Sequence, residues 1–462
     1  MRDVFSYLDE NRDRFLEELF VLLRQPSIST QGVGVEEMAR LLAESMTAIG
    51  IEASIQGTGG HPVVLGKLAS PDSERTVLIY GHYDVQPPEP LELWQSPPFE
   101  PTIRNGRIYG RGTADNKAQL FAHLKAAEAF LQVRGRMPVN VVFLFEGEEE
   151  VNSASLKAFA ESNRELLKAD GALTFDGPGH ESGRPIVRCG QKGQLYLEIT
   201  AKGANRDLHS MRAAMVSSAA WKLVHALASM KDRQSNILVP GFFDGVRPPN
   251  AAELEAVRRV PNDAAAVRAD LQVDQFIGGD EMYHHHMSLT PTCNIAGLTS
   301  GYQGKGKKTV LPARASAKID FRLVPDQHPG DIAEKVRSHL AACGFGDLEV
   351  AVLGETWPSR TAVDHPYVQL VMRAIRSRAG LDPILSPSTG GSGPDYIFTG
   401  VLGLPSVWLP QSPADSNNHA PNENIAVEGV FRAMKISASI MEEMGKAAAF
   451  QAATPAGRPV RG

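Results

Sequence analysis

VNVVFLFEGEEE, residues 139–150, carries the pattern that decides the fold: an apolar run followed at once by acidic residues. The apolar part predicts a β-strand that is buried in a sheet. The carboxylates of Glu146, Glu148, Glu149 and Glu150 come directly after it, and they repel one another unless a cation lies among them. Acidic runs are more commonly solvated faces, so this stretch alone leaves a metal site and a polar turn both open.

Strands and helices alternate around this stretch. Strands are predicted at Val63–Lys67, Thr76–Tyr80 and Ala172–Phe175, and helices at about 116–131 and 155–167. Alternation of this kind predicts an α/β domain with a mostly parallel sheet flanked by helices.

The middle of the chain has a different pattern, which predicts an inserted α+β domain of the βαβ–βαβ type. Its predicted elements are the strands 194–202, 314–324 and 348–353 and the helices 213–230 and 331–342. We therefore predict one α/β domain in two parts, residues 1–194 and 359–462. Residues 195–358 form the predicted inserted domain between them.

Histidines and acids follow several of the predicted strands. In an open parallel sheet, ligands gather beyond the carboxyl ends of the strands, so side chains distant in sequence can meet there. Imidazole and carboxylate together favour zinc, with cobalt or manganese as alternatives. Five such ligands are too many for one catalytic zinc but suit two ions if one carboxylate bridges them. The candidate ligands are His82, Asp115, Glu150, Asp176 and His419.

Composition narrows the class of protein. The 462 residues carry a formal net charge of −6, which gives no support for binding nucleic acid or an anionic membrane surface. The three cysteines form no CxxC pair, so neither a disulfide framework nor a thiolate metal site is predicted. The N-terminal segment lacks the pattern of a signal peptide, and a cytoplasmic enzyme is expected.

Eight motifs, in order along nearly the whole chain, resemble the dinuclear zinc aminoacylase and dipeptidase family. Carnosinase-like cytosolic dipeptidases, acetylornithine deacetylase, succinyl-diaminopimelate desuccinylase and carboxypeptidase G belong to that family. The motifs are GHYDV (81–85), GRGTADNK (110–117), FEGEEEVNS (145–153), FDGPG (175–179), DLHS (207–210), KTVLPARASAKIDFRLVP (308–325), GGSGP (390–394) and NNHAPNEN (417–424).

The resemblance implies two Zn²⁺ ions per subunit, with Mn²⁺ or Co²⁺ as substitutes. His82 and Asp176 would bind one ion, Glu150 and His419 the other, and Asp115 would bridge the two. The peptide bond after Asp115 is expected to be cis, which outside proline usually marks a functional site.

Two further residues receive catalytic roles from the resemblance. Asp84 would hold the ring of His82 in one tautomer, as metal-bound histidines usually require. Glu149 would be the general base that takes a proton from a bridging water and passes it to the leaving amine.

The resemblance also implies a substrate pocket. It makes residues 1–194 and 359–462 the catalytic domain and residues 195–358 a lid and dimerisation domain, through which a homodimer would form. Arg322 and Ser392 would hold the substrate's terminal carboxylate, with Asn294 as a weaker candidate. His209 would reach the site of the partner subunit and stabilise the oxyanion. A tract of three histidines, residues 284–286, matches none of the motifs and is interpreted as a polar loop of the lid.

Three functions remain open from the sequence. The main hypothesis is a metallo-dipeptidase that cleaves small peptides with a free carboxylate. The second is a deacylase of N-acyl amino acids with the same two-metal chemistry. The third is a non-catalytic binder of peptides or metal, which the presence of Glu149 disfavours.

Overall fold

A computed structural model of the protein describes residues 1–448, so residues 449–462 of the predicted second catalytic segment lie outside the described residues. The strands are β1 (Glu52–Gln56), β2 (Val63–Leu68), β3 (Thr76–His82), β4 (Thr102–Arg104), β5 (Arg107–Tyr109), β6 (Asn140–Glu146), β7 (Gly171–Thr174), β8 (Ile186–Arg188), β9 (Gly193–Lys202), β10 (Leu208–His209), β11 (Thr292–Ser300), β12 (Val310–Leu311), β13 (Arg314–Leu323), β14 (Glu349–Thr356), β15 (Ile384–Ser386), β16 (Ser406–Trp408) and β17 (Asn424–Ala426). The helices are α1 (Arg2–Glu10), α2 (Arg12–Arg24), α3 (Val35–Ala48), α4 (Lys117–Arg134), α5 (Leu156–Ser162), α6 (Ala219–Met230), α7 (Ala251–Arg259), α8 (Ala264–Asp270), α9 (Tyr283–Leu289), α10 (Pro329–Ala342), α11 (Pro366–Ser377) and α12 (Val427–Lys446).

The larger sheet has eight strands in the order β1-β2-β6-β3-β7-β16-β8-β15. Its centre is parallel, since β6, β3, β7 and β16 run in the same direction. One face packs against a core that includes residues of α1–α4, α11 and α12, and the other face packs against α5 and residues 396–404. The predicted α/β fold with a mostly parallel sheet is confirmed.

The smaller sheet has four antiparallel strands in the order β11-β13-β9-β14. Alternate residues of β9 are buried, from Leu195 to Ala201, and they pack with α6 and α10 into a separate core. At the edge strand β11, Leu298 is 55% exposed, although it pairs with the buried Ala317. This β-α-β-β-α-β unit confirms the predicted inserted α+β fold.

Two local predictions were wrong. The helix predicted from residue 213 begins at Ala219, because the Ser218 hydroxyl caps it by accepting a hydrogen bond from the Trp221 amide at 3.3 Å. The histidine tract 284–286 belongs to helix α9 rather than to a loop.

The polypeptide enters and leaves the smaller sheet at one place. Gln194 on β9 pairs with Thr356 at the end of β14. Beyond these strands, the Ser359 amide donates to the Gln191 carbonyl at 3.0 Å, and the Gln191 amide donates to the Ser359 hydroxyl at 2.9 Å. The two connections are therefore joined to each other as well as to their strands.

Candidate metal centre

Parallel strands bring the predicted ligands to one edge of the larger sheet. Strand β3 ends at His82, β6 ends at Glu146 just before Glu149 and Glu150, and β7 ends just before Asp176. Because β3 lies between β6 and β7 and runs parallel to both, these strand ends are neighbours in space.

Asp115 lies at the middle of the ligand set. One carboxylate oxygen, Oδ1, is 3.0 Å from His82 Nε2, and the other, Oδ2, is 3.1 Å from His419 Nε2. His419 Nε2 is also 3.2 Å from a carboxylate oxygen of Glu150. Two groups of potential ligands result, His82–Asp115–Asp176 and Asp115–Glu150–His419, and the donor atoms within each group lie within 4.8 Å of one another. A carboxylate that belongs to both groups has the placement that a bridging ligand needs.

The segment that carries Asp115 is fixed from behind by Glu423. This carboxylate accepts hydrogen bonds from the amides of Ala114 and Asp115 at 2.7 and 3.0 Å, and from that of Gly112 at 3.0 Å. It also pairs with the buried guanidinium of Arg111 at 2.8 Å. The sequence placed Glu423 within a family motif without giving it a task. The structure makes it the support of the central carboxylate.

The turn that follows Asp115 is also positioned. The Asp115–Asn116 peptide bond is cis, as predicted. The Asn116 side-chain amide donates to Asp176 Oδ1 at 3.1 Å and to the Phe175 carbonyl at 2.7 Å, so it orients one ligand from the base of α4.

Asp84 connects the two sides of the site. The Nδ1 atom of the His82 ring lies 3.1 Å from the Asp84 backbone carbonyl and 3.3 Å from its carboxylate. The same carboxylate accepts hydrogen bonds from the amides of Glu149 and Glu150 at 3.2 and 3.1 Å. One buried acid therefore orients a histidine ring and the turn that carries two glutamates.

Gln86 was not identified from the sequence. Its side-chain amide donates to Glu150 Oε2 at 2.9 Å, which leaves the second oxygen of that carboxylate for other contacts.

Without a cation, the negative charges of the carboxylates in the ligand set are not balanced by nearby positive charge. Burial, followed by the Asp115 carboxylate, raises the pKa of Asp176 to about 7. Burial and the carboxylates of Asp176 and Glu150 raise the pKa of Glu149 well above its usual value, against the opposing effect of His82. Hydrogen bonds to Asp115 and Glu150 raise the pKa of His419 to about 10. The acids and rings thus hold protons that divalent ions would displace, so the donor set fits a metal.

A cavity of about 230 Å³ connects Glu149 with Arg322 and Ser392. Arg322, on β13 of the smaller sheet, donates from Nη1 to the Ser392 hydroxyl at 2.9 Å, and its Nε pairs with Asp320 at 3.1 Å. Three larger cavities, of about 550, 530 and 300 Å³, are lined by none of the predicted site residues.

Two predicted substrate residues do not reach this cavity within one chain. His209 is exposed, and its ring accepts a hydrogen bond from the Met211 amide at 3.1 Å and faces the Thr309 hydroxyl at 3.5 Å. Asn294 is exposed on β11, opposite Asp320.

Comparisons with known proteins agree with this geometry. The sequence profile described as "Peptidase family M20/M25/M40" matches residues 78–443. The crystal structure of the M20 family metallo-carboxypeptidase Sso-CP2 from Sulfolobus solfataricus superposes with a TM-score of 0.87 at 35% identity, covering 94% of this chain and 99% of that one. A Beta-Ala-His dipeptidase from Rattus norvegicus is 25% identical over 471 residues, with 96% of each chain covered. A Cys-Gly metallodipeptidase from Schizosaccharomyces pombe is 27% identical over 472 residues, covering 96% of this chain and 98% of that one. Among residues 1–448, no helix has the length and apolar character to cross a membrane.

Proposed function

Because the chain belongs to peptidase family M20/M25/M40, we propose that it hydrolyses the peptide bond of dipeptides and similar small substrates with a free carboxylate. It is a hydrolase of the metallopeptidase type, and its relatives include dipeptidases that are named for Beta-Ala-His and Cys-Gly. The observation that carries the proposal is the single cavity lined by Glu149, Arg322 and Ser392.

The metal is proposed to be a pair of zinc ions. His82 and Asp176 hold one ion, Glu150 and His419 hold the other, and Asp115 is shared. Two facts support this assignment: the two ligand groups meet at Asp115, and imidazole with carboxylate is the donor set that zinc prefers. Bound there, the pair supplies Lewis acidity toward the scissile carbonyl and a hydroxide nucleophile at neutral pH.

Glu149 is proposed as the proton carrier. Its carboxylate accepts a proton from the attacking water and later gives that proton to the amine of the leaving amino acid, so no proton is lost or gained. The place of Glu149 in the cavity that also holds Arg322 and Ser392 supports the role. Asp84 keeps both His82 and the Glu149 turn in position.

Arg322 and Ser392 are proposed to bind the substrate carboxylate. The planar guanidinium can donate two parallel hydrogen bonds to a carboxylate, and the Ser392 hydroxyl already lies within 2.9 Å of it. Since Arg322 is on the smaller sheet and Glu149 follows strand β6 of the larger sheet, a substrate held at both contacts spans the two domains. Asn294 stays a weaker candidate for this pocket.

A homodimer through the inserted domain is also proposed, with His209 acting in the partner's site. Support comes from the exposed apolar face of the insert, where Trp221 is 65% exposed and Leu298 is 55% exposed. The exposure of His209 agrees with a task outside its own chain. A cytoplasmic location and the boundaries 1–194, 195–358 and 359–462 are likewise proposals, the latter supported by the two separate sheets.

A carboxypeptidase acting on longer peptides is the second candidate, because a metallo-carboxypeptidase structure is 35% identical to this chain. A deacylase of N-acyl amino acids fits the cavity less well. The lining of this cavity includes Asn152, Ser153, Gln194 and Thr356, and these polar side chains suit an α-amine better than an apolar acyl chain.

Substrate assays distinguish these functions. The purified protein, supplied with zinc or manganese, is incubated with dipeptides, tripeptides and N-acetyl amino acids, and the released amino acid is quantified. We expect dipeptides to give the highest kcat/KM. Preference for tripeptides would favour the carboxypeptidase, and preference for N-acetyl amino acids the deacylase. No turnover of any substrate, with unchanged ligand binding in Glu149→Ala, would leave only the non-catalytic binder.

A further inference from the structure

Three side chains outside the candidate metal centre converge from separate parts of the chain. His180 lies in the loop between β7 and β8, Asp263 precedes α8, and His284 lies on α9. His284 Nε2 is 3.3 Å from Asp263 Oδ1, and His180 Nε2 is 3.7 Å from Asp263 Oδ2. The three donor atoms lie within 4.8 Å of one another.

Two of these atoms are buried without a hydrogen-bond partner. They are His180 Nε2 and Asp263 Oδ1, and the His180 side chain is only 7% exposed. The 3.7 Å separation of His180 from Asp263 is too long for a hydrogen bond. Leaving a buried polar atom unsatisfied costs about 1–3 kcal/mol, so this arrangement needs a further partner.

The spacing suits a metal ion better than an ion pair. Tetrahedral zinc with N and O ligands at about 2.0–2.1 Å places neighbouring ligand atoms about 3.3–3.4 Å apart. The separation of His284 Nε2 from Asp263 Oδ1, 3.3 Å, lies in that range, and His180 Nε2 is 3.7 Å from the other carboxylate oxygen, Oδ2. We propose that His180, Asp263 and His284 bind one divalent transition ion of the zinc class, separate from the catalytic pair.

Each ring must present an Nε2 lone pair to the ion. For His180 the proton then lies on Nδ1, which can donate to the Ser182 hydroxyl at 2.9 Å, and the hydrogen bond that the Ser182 amide donates to Nδ1 at 3.1 Å is lost. His284 Nε2 is 3.0 Å from the Pro261 carbonyl oxygen, so ion binding replaces a hydrogen bond to that oxygen. The Pro261 carbonyl oxygen then remains beside the site as a possible oxygen ligand of the ion.

The site joins two regions of the molecule. His180 belongs to the loop that follows Asp176, whereas Asp263 and His284 belong to the segment between α6 and β11. An ion at this point fixes the long segment 231–291 of the lid to the domain that holds the catalytic residues. It acts as a clamp and takes no part in hydrolysis.

Metal content tests the proposal without relying on activity. The full chain is saturated with zinc, freed of unbound ion on a desalting column, and analysed by mass spectrometry. We expect Asp263→Ala and His284→Ala each to bind one zinc per chain fewer than the wild type. His285→Ala, altered in the same tract but outside the cluster, retains the wild-type content.

Two additional variants keep the test decisive. His180→Gln preserves the size of the side chain, so it covers the case in which Asp263→Ala fails to fold. Asp115→Asn weakens zinc binding at the catalytic pair. We expect this variant to retain one zinc per chain, and we expect that zinc to be lost when His284→Ala is added. Wild-type zinc content in folded Asp263→Ala, His284→Ala and His180→Gln would overturn the third site and leave the catalytic proposal intact.

Discussion

Glu149 and Glu150 are neighbours in the chain, but their side chains have different surroundings. Glu150 lies beside His419, which is another candidate ligand, and it accepts a hydrogen bond from the Gln86 side chain. Glu149 lines the cavity that reaches Arg322. Both side chains belong to a turn of three residues, Glu149–Val151. The Asp84 carboxylate accepts hydrogen bonds from the Glu149 and Glu150 amides at the start of this turn.

This difference predicts the effect of Glu149→Gln. The amide has the same shape but cannot accept the proton, so we expect kcat to fall by about 10²–10⁴-fold with zinc content unchanged. Glu148→Gln is the matched control, since Glu148 accepts hydrogen bonds from the His61 and Ser155 amides and belongs to neither ligand group. A Glu149→Gln protein that loses zinc would contradict the proposed division of tasks.

Glu146 predicts a pH dependence of stability. Burial raises its pKa from 4.5 to about 8, although hydrogen bonds from Tyr80 and Ser153 act in the opposite direction. The Glu146 carboxyl therefore binds more protons in the folded state than in the unfolded state between these values, so its contribution to stability is fully present below about pH 4.5 and is lost as pH rises to about 8.

The test compares wild type with Glu146→Gln by urea unfolding in chelator from pH 4 to 9. The glutamine is neutral at every pH and still offers an oxygen to Tyr80 and Ser153. We expect the variant to match the wild type at pH 4 and to exceed it by a few kcal/mol above pH 8. A difference that does not vary with pH would rule out this titration.

At the residue scale, the sequence identified side chains whose positions follow from strand ends. His82, Glu150 and Asp176 meet because parallel strands terminate together. Gln86 and Asn116 were missed because their task depends on the direction of a single amide group, for which no periodicity exists.

The segment before α4 is an element whose shape is set by one buried ion pair. Arg111 is 1% exposed and Glu423 is fully buried, and the carboxylate also holds three backbone amides. Removing one charge from such a pair leaves the other buried and unpaired, which costs about 3–5 kcal/mol.

We therefore expect Glu423→Gln to lower the free energy of unfolding by about 3–5 kcal/mol and to weaken zinc binding through Asp115. Urea unfolding and zinc titration measure the two effects. The control is Asp415→Asn, which breaks the exposed pair that Arg107 forms at 2.9 Å and should cost less than about 1 kcal/mol. Equal losses in the two variants would contradict the assigned role of Glu423.

Element prediction succeeded where burial was uniform and failed where it was not. The apolar strands β3 and β6 were found because both faces of each are covered. Strand β11 was missed because it lies at a sheet edge and most of its residues are exposed. The three-residue strands β8 and β15 are too short to show any alternation.

At the scale of the whole molecule, the proposed substrate pocket is shared between the two sheets. Arg322 comes from the insert, and Ser392 from the chain that follows it. Arg322→Lys keeps the charge but removes the planar fork. We expect KM for a dipeptide to rise by about tenfold to a hundredfold, corresponding to about 1.5–3 kcal/mol for hydrogen bonds to a charged group.

The KM of a dipeptide with an amidated C-terminus provides the control, because that substrate has no carboxylate to lose contact with. Its KM should be nearly the same in the wild type and in Arg322→Lys. An equal rise for both substrates would place Arg322 in the support of the fold and not in the recognition of the carboxylate.

The position of β16 in the larger sheet has a consequence for how the protein is made. This strand pairs with β7, yet residues 406–408 leave the ribosome more than 200 residues after β7 has emerged. During that interval the insert is translated, while the β7 edge of the nascent sheet has no partner on that side. Unpaired edges of this kind are prone to aggregation, so we expect the emerging chain to need protection until its last segment arrives. The candidate metal centre is completed later still, because His419 follows β16 in the chain.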